Sequence, residues 1–321
     1  MKTRLIVNPS SGRSRRNRRL VATVRAFLAE QRLDADFAVT EGPGHATELA
    51  RAALVAGCER VVAVGGDGTV NDAAQALVGT SAVLALVPCG SGNGLARHLG
   101  LPLQPRRALA LLADPTARIV AIDTGTANGH PFFNVMGAGF DANISQRFNH
   151  LPQRGLPAYL RAGFREFLRH RPEPVTIEDA DRHVERLEAF IVAVANSDQY
   201  GNSARLAPGA CVNDGLLDLV AVLRPGILRA MALVARLFLG GFDRSPRVRR
   251  LRSARFVIRR PAPGLIHTDG ETHATGATIE VAVRPLSLRL LVPAACRVGA
   301  SAGPAASPLP PWTRNASGSA P

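Results

Sequence analysis

Between Leu5 and Leu99 short β-branched runs alternate with segments of helical period, and this alternation is what most constrains the fold. Leu5 to Val7, Asp36 to Thr40, Val61 to Val64 and Val83 to Val87 read as strands, each bounded by Gly, Pro, Asn or Ser. Arg15 to Gln31, His45 to Ala56, Val70 to Val78 and Gly94 to Leu99 read as the helices between them. Strands that reach their neighbours through helices pair in parallel with right-handed crossovers, and ligands gather at the carboxyl ends of such strands. An α/β domain over residues 1–124 is therefore expected.

Beyond Thr124 strand-like runs follow one another: Val175 to Glu178, Ala189 to Ala195, Leu216 to Leu223, Arg255 to Arg259, Thr278 to Val283 and Ser287 to Val292. Serial strands predict an antiparallel sandwich over 125–298, with helical inserts at Pro157 to His170 and Ile227 to Leu239. Residues 299–321 are dominated by Ala, Ser, Gly and Pro, a composition that buries too little apolar surface to order itself. A length of 321 residues suits two cores, and 46% apolar with 5% aromatic residues makes those cores aliphatic.

Three loops fall at the carboxyl ends of predicted strands. In the first domain's third strand, Val61-Val62-Ala63-Val64 runs into Gly65-Gly66-Asp67-Gly68-Thr69-Val70-Asn71, and a helix begins at once. Glycines there would let backbone amides approach a polyphosphate and take positive φ, and Asp67 would meet a magnesium ion or a phosphate-bound water. Asn8-Pro9-Ser10-Ser11-Gly12 follows the first strand and Pro88-Cys89-Gly90-Ser91-Gly92-Asn93-Gly94 follows the fourth. The sequence has neither a Gly-Lys-Ser/Thr phosphate loop nor a G-x-G-x-x-G fingerprint opening a helix, so the ordinary NTPase and dinucleotide-oxidoreductase readings lose their main support. Arg13, Arg15 or Arg16 could supply the phosphate-directed charge.

This set of loops resembles the diacylglycerol kinase catalytic family, which includes bacterial lipid kinases, sphingosine kinases and ceramide kinases. The resemblance runs over residues 1 to 296 and implies an NAD-kinase-like α/β domain followed by a β-sandwich domain. It implies ATP binding by Asn8, Pro9, Ser10, Ser11, Gly12, Thr40, Gly65, Gly66, Asp67, Gly68, Thr69, Val70, Asn71 and Ser91. Ala207 to Leu219 resembles the family's structural magnesium loop, with Asp214 ligating by its side chain and Cys211 and Leu216 at the matching positions through carbonyls. His267-Thr268-Asp269-Gly270-Glu271 resembles the segment carrying the family's general base. Glu271 is the match and Asp269 its rival, while Asp141 falls where sphingolipid kinases carry an acceptor-contacting Asp. Two departures concern the acceptor side: Gln199 to Ser203 keeps one glycine where many relatives have more, and Gly90-Ser91-Gly92-Asn93 is nearer the sphingosine kinase style.

The implied activity is ATP- and magnesium-dependent phosphorylation of a lipid hydroxyl, diacylglycerol or a related lipid. A soluble NAD-kinase-like activity and a membrane-attached nucleotide-binding regulatory protein are the alternatives. Net charge is +14, carried by 39 basic side chains of which Lys2 is the only lysine, and such a field attracts anionic partners. Eight arginines between Arg244 and Arg260, beside the apolar helix at Ile227 to Leu239, suit either an anionic membrane surface or a solvated edge and a core-facing helix. No aromatic platform accompanies the charge, so nucleic acid is not expected, and a homodimer is left open. The dispersed Cys58, Cys89, Cys211 and Cys296 fit a reducing cytoplasm, with peripheral attachment to the membrane.

Overall fold

The first four strands lie side by side, and the order in which they pair locates the ligand crevice. The computed structural model describes residues 1–11, 20–31, 33–139, 142, 170–296 and 298. Its N-terminal elements are β1 (Thr3–Val7), α1 (Leu20–Gln31), β2 (Ala35–Val39), α2 (His45–Val55), β3 (Arg60–Gly65), α3 (Asp67–Leu77), β4 (Val83–Pro88), α4 (Gly94–His98) and α5 (Pro105–Ala110). β1 pairs in parallel with β2 on one side and β3 on the other, and β3 pairs in parallel with β4. Strand order therefore reverses at β1, and the loops after β1 and β3 diverge there, the place where open α/β sheets bind ligands.

Both β3 and β4 are buried along their whole length, which explains why they read as unbroken apolar runs rather than alternating ones. α2 and α3 present Ala46, Ala50, Ala53, Ala73 and Ala74 to the core, small side chains that let two helices lie close over one sheet. Each Val or Leu fully buried in this core contributes roughly 1.5–3 kcal/mol of transfer free energy.

The second half is antiparallel. β5 (Arg118–Ala127), β6 (His130–Phe132), β7 (Val135–Gly139), β8 (Glu173–Asp179) and β9 (Val184–Ala195) precede a small hairpin, β10 (Gln199–Gly201) and β11 (Ala204–Arg205). Then come β12 (Leu217–Leu223), helix α6 (Ile227–Leu239), β13 (Val248–Ser253), β14 (Arg255–Arg259), β15 (Gly264–Thr268), β16 (Glu271–Thr275) and β17 (Thr278–Val292). β9 pairs with β7, β8 and β12, bending between the layers of the sandwich.

β17 joins the two halves. Its first residues pair with β14, while Arg289 and Leu290 run parallel to Val83 and Leu84 of β4, and β5 follows it on both sides of a break between Arg284 and Leu288. Leu288, Leu290, Leu291, Val292 and Cys296 consequently lie in the same core as β1, β3 and β4. The two runs read from the sequence at Thr278 to Val283 and Ser287 to Val292 are thus one strand, bulged at Leu286 with φ of 47°. Most of the Pro157 to His170 insert, the segment around Asp141, Gly12 with Arg13, Arg15 and Arg16, and the tail from residue 299 lie outside the described residues.

Candidate active site

The three loops interlock through side chains that the sequence motif contains. Asn8 donates from Nδ2 to Oγ1 of Thr69 at 2.9 Å, and its Oδ1 accepts the Ser10 amide at 2.9 Å. The Gly66 amide donates to Oγ of Ser11 at 3.1 Å, so the β1 loop is tied to the β3 loop at two points. Asp67 holds the third loop: Oδ2 accepts the Asn93 amide at 2.8 Å and Oδ1 the Gly94 amide at 2.7 Å. Asn93, at φ of 51°, closes its own loop by accepting the Gly90 amide and donating to the Gly90 carbonyl. Pro9 follows Asn8 on the exposed rim, Ser91 sits exposed at the tip of the third loop, and Val70 and Asn71 are buried on α3. Thr40 is buried at the end of β2, its amide donating to the Val7 carbonyl at 2.9 Å.

Positive φ was expected of the glycines, but Gly65, Gly66 and Gly68 do not adopt it. What excludes side chains is proximity. A Cβ on Gly65 would lie 2.5 Å from the Thr69 side chain, one on Gly90 2.8 Å from the Gly66 Cα, and one on Gly92 2.7 Å from Asp67 Oδ2. Gly68 differs, because a Cβ there meets open space. Asn71 is 8% exposed and its Oδ1 is buried without a hydrogen-bond partner, the condition of a group that a bound donor would satisfy.

β15 and β16 carry the second domain's acids, and Glu271 on β16 comes within electrostatic reach of Asp72 on α3. The two strands are joined by the two-residue turn Asp269-Gly270, with φ of 51° and 92°, the positive pair that a tight hairpin requires. Asp269 is half-buried in that turn with its carboxylate turned inward, where it accepts the amides of Phe133 at 2.6 Å, Asn134 at 3.0 Å and Val135 at 2.9 Å. Burial pushes the carboxyl up to about 6, although the three amides pull the other way. Its oxygens hold the β6–β7 connection, so Asp269 is placed to fix the turn, while the Glu271 carboxylate carries no such backbone bonds among the described contacts.

Glu271 lies two residues on, exposed at the start of β16. Partial desolvation first, and then the carboxylate of Asp72 on α3, raise its carboxyl above the ordinary glutamate range, while His130 lowers it. Asp72 is half-buried, accepts the Gly44 amide at 3.1 Å and is itself raised by desolvation. His130 stacks on His273 with ring centroids 3.8 Å apart, and His273 meets the Thr268 hydroxyl at 2.9 Å. Asp72, His130 and His273 were not singled out from the sequence; the only hint was the acid that closes the β3-loop motif.

The loop from Cys211 to Leu216 wraps around Asp123, another residue missed from sequence. Asp123 is fully buried on β5, its Oδ2 accepting the Gly215 amide at 2.7 Å and its Oδ1 the Leu286 amide at 2.8 Å, and its own amide donates to the Val212 carbonyl at 2.6 Å. A lone acid in the apolar strand Ile119 to Thr124 was the available signal. Asp214 accepts the Leu216 amide at 3.1 Å and pairs with Arg252, which also approaches Asp218 at 3.4 Å. Burial raises the Cys211 thiol, so of its donor atoms the backbone carbonyl is the one that would suit a hard cation. The Asp214 carboxylate with the carbonyls of Cys211 and Leu216 would make a hard oxygen set of the kind magnesium takes, and Arg252 is the counter-ion of Asp214 here. A surface depression of about 420 Å³ between Glu178, Arg182, Arg255 and Arg259 contains none of these residues.

Known proteins share this architecture. Residues 2–127 match the diacylglycerol kinase catalytic domain, and residues 134–292 match the YegS C-terminal NAD kinase beta sandwich-like domain. A protein of Pseudomonas putida named "probable lipid kinase YegS-like" is 34% identical over 264 residues, 81% of this chain and 85% of that one. One of the same name from Klebsiella pneumoniae is 30% identical over 84% of this chain and 90% of its own. Among solved structures, a diacylglycerol kinase from Bacillus anthracis superposes with a TM-score of 0.72 at 21% identity, covering 91% of this chain and 96% of that one. Yeast NADH kinase complexed with NADH superposes at 0.53 and 12% identity, covering 91% and 83%. These two likenesses concern the fold.

Proposed function

The chain belongs to the diacylglycerol kinase catalytic family and is a lipid kinase, and from that premise we propose that it transfers the γ-phosphoryl group of ATP, with magnesium, to the hydroxyl of diacylglycerol or a related lipid. The observation that carries this reading is that Glu271, a solvent-reachable carboxylate from the second domain, lies within electrostatic reach of Asp72 on the helix that opens the nucleotide loop.

Phosphoryl transfer asks mainly for positioning and charge neutralisation. The amides at the start of α3, with Gly68 open above them, receive phosphate oxygens, and Asn71 Oδ1 takes a donor from the nucleotide. Asn8, Ser11 and Asp67 keep the three loops in one arrangement before the nucleotide arrives. The lipid hydroxyl oxygen attacks the γ-phosphorus, the bond to the ADP oxygen breaks, and Glu271 accepts the hydroxyl proton. A carboxyl raised by desolvation is a stronger base toward an alcohol than an ordinary glutamate, provided the pH keeps it ionised. Asp214, Cys211 and Leu216 would hold a structural magnesium, whose charge would offset the acids Asp123 and Asp218 where the loop meets β5 and β12. Magnesium carried with the nucleotide spreads the charge of the phosphates.

The test is purified protein with labelled ATP and magnesium, offered diacylglycerol, sphingosine, ceramide, phosphatidylglycerol and NAD in mixed micelles. Label in a lipid product is expected; label in NAD alone contradicts the proposal and favours an NAD-kinase-like activity.

A further inference from the structure

Helix α6 exposes more large apolar side chains than any other described element. Leu228 is 82% exposed, Met231 66% and Leu239 87%, and Ile227, Val234 and Phe238 are exposed beside them; Leu233 is the buried residue of the helix. At about 100° per residue, Ile227, Met231, Val234 and Phe238 form one stripe with Leu228 and Leu239 on its shoulder. Leu233 and Leu237 lie on another side and pack with Leu206, Tyr200 and Phe242, so the exposed stripe is not the core face. At the same spacing Arg229 and Arg236 lie beyond Leu228 and Leu239, on the side away from Ile227 and Phe238, and the helix has no acidic residue.

We propose that α6 is the membrane-docking element, lying in the plane of an anionic bilayer with Leu228, Met231, Phe238 and Leu239 at the acyl boundary and Arg229 and Arg236 among the phosphates. Charge selects this occupant over a second copy. A second copy would bring together two chains each of net charge +14, whereas anionic headgroups complement that charge and the arginines whose long side chains reach past the Leu228 and Leu239 shoulder. Position agrees with the choice. Tyr200, in the cluster beneath α6, meets the ring of His267 edge-on at 6.3 Å, and the amide of Asn202 in the same hairpin donates to the Gly92 carbonyl at 3.4 Å. A bilayer holding α6 therefore lies about one helix thickness from the hairpin that borders the proposed cleft. The inference rests on the acceptor being a membrane lipid.

The experiment is co-sedimentation of the full chain with phosphatidylcholine vesicles with and without phosphatidylglycerol, for the wild type, Leu228→Glu/Leu239→Glu and Arg229→Gln/Arg236→Gln. Phosphorylation of a dispersed short-chain diacylglycerol and thermal midpoint are measured in parallel. The wild type is expected on the anionic vesicles. The apolar pair should lose at least tenfold in partitioning, and the arginine pair should lose the salt-sensitive part, both with short-chain turnover and melting unchanged. Wild-type partitioning by the Leu228→Glu/Leu239→Glu protein would overturn the proposal, as would a wild-type dimer in sedimentation velocity that this variant splits. Vesicle binding through α6 without transfer to any lipid would sustain the docking and reject the lipid-phosphorylation reading instead.

Discussion

The carboxylate of Asp67 accepts the backbone amide of Gly94 at 2.7 Å, joining the loop after β3 to the loop after β4. With the Asn93 amide on its other oxygen, this one side chain satisfies two donors that no other described side chain reaches. Asp67→Ala leaves both amides without that acceptor, at about 1–3 kcal/mol for each that water does not recover. A lower thermal midpoint together with weaker nucleotide affinity is expected. Loss of affinity with an unchanged midpoint would mean that Asp67 acts on the ligand and not on the loops.

The glycines of the motif separate into two kinds. Gly90→Ala drives a Cβ to 2.8 Å from the Gly66 backbone, which cannot swing away, and should cost about 1–3 kcal/mol of stability. Gly68→Ala meets open space inside α3, where alanine is the better helix former by about 1 kcal/mol. Its protein should melt no lower than the wild type yet show a raised KM for ATP, because the added methyl occupies the room over the amides. An unchanged KM would move the phosphates away from Gly68.

Asp72→Asn tests the pairing across the cleft. The Asp72 charge raises the Glu271 carboxyl, so its removal lets Glu271 ionise at lower pH. The acidic limb of kcat/KM is expected above the ordinary glutamate range in the wild type, and to move toward lower pH in the variant. A limb that stays in place would separate the two carboxylates.

These contacts mark the limit of what the sequence contains. The unbroken Val and Leu runs of β3 and β4, the Gly-Gly-Asp-Gly turn and the full extent of α6 were legible because each is a local pattern. Asp72 was written inside the motif, but its neighbour Glu271 arrives only when β15 and β16 fold back over β7. β17 was split because Pro285 and Leu286 look like a terminator, and its continuity depends on β5 pairing with both parts. β13 read as a basic segment, since Arg250 and Arg252 are matched there by Asp218 and Asp214, partners that no local pattern discloses.

Asp269 and Glu271, separated by Gly270 in the motif, should respond oppositely. Asp269→Asn replaces an acceptor of three buried amides and is expected to lower stability while sparing the chemical step in the protein that folds. The sign of its pH dependence follows from the raised carboxyl: the contribution is full below the unfolded value of about 4 and is lost as pH climbs through about 6. Denaturant titrations between pH 4 and 7 should therefore show this loss in the wild type and not in Asp269→Asn. Equal pH profiles would mean that Asp269 keeps an ordinary carboxyl.

Phosphate transfer by Glu271→Gln bears most directly on the central claim. With labelled ATP, magnesium and diacylglycerol in mixed micelles, the wild type is predicted to form labelled lipid. Glu271→Gln is predicted to lose about 10²–10⁴-fold in kcat while binding nucleotide with unchanged affinity. Full transfer by Glu271→Gln, or no transfer to any lipid by the wild type, would contradict the account.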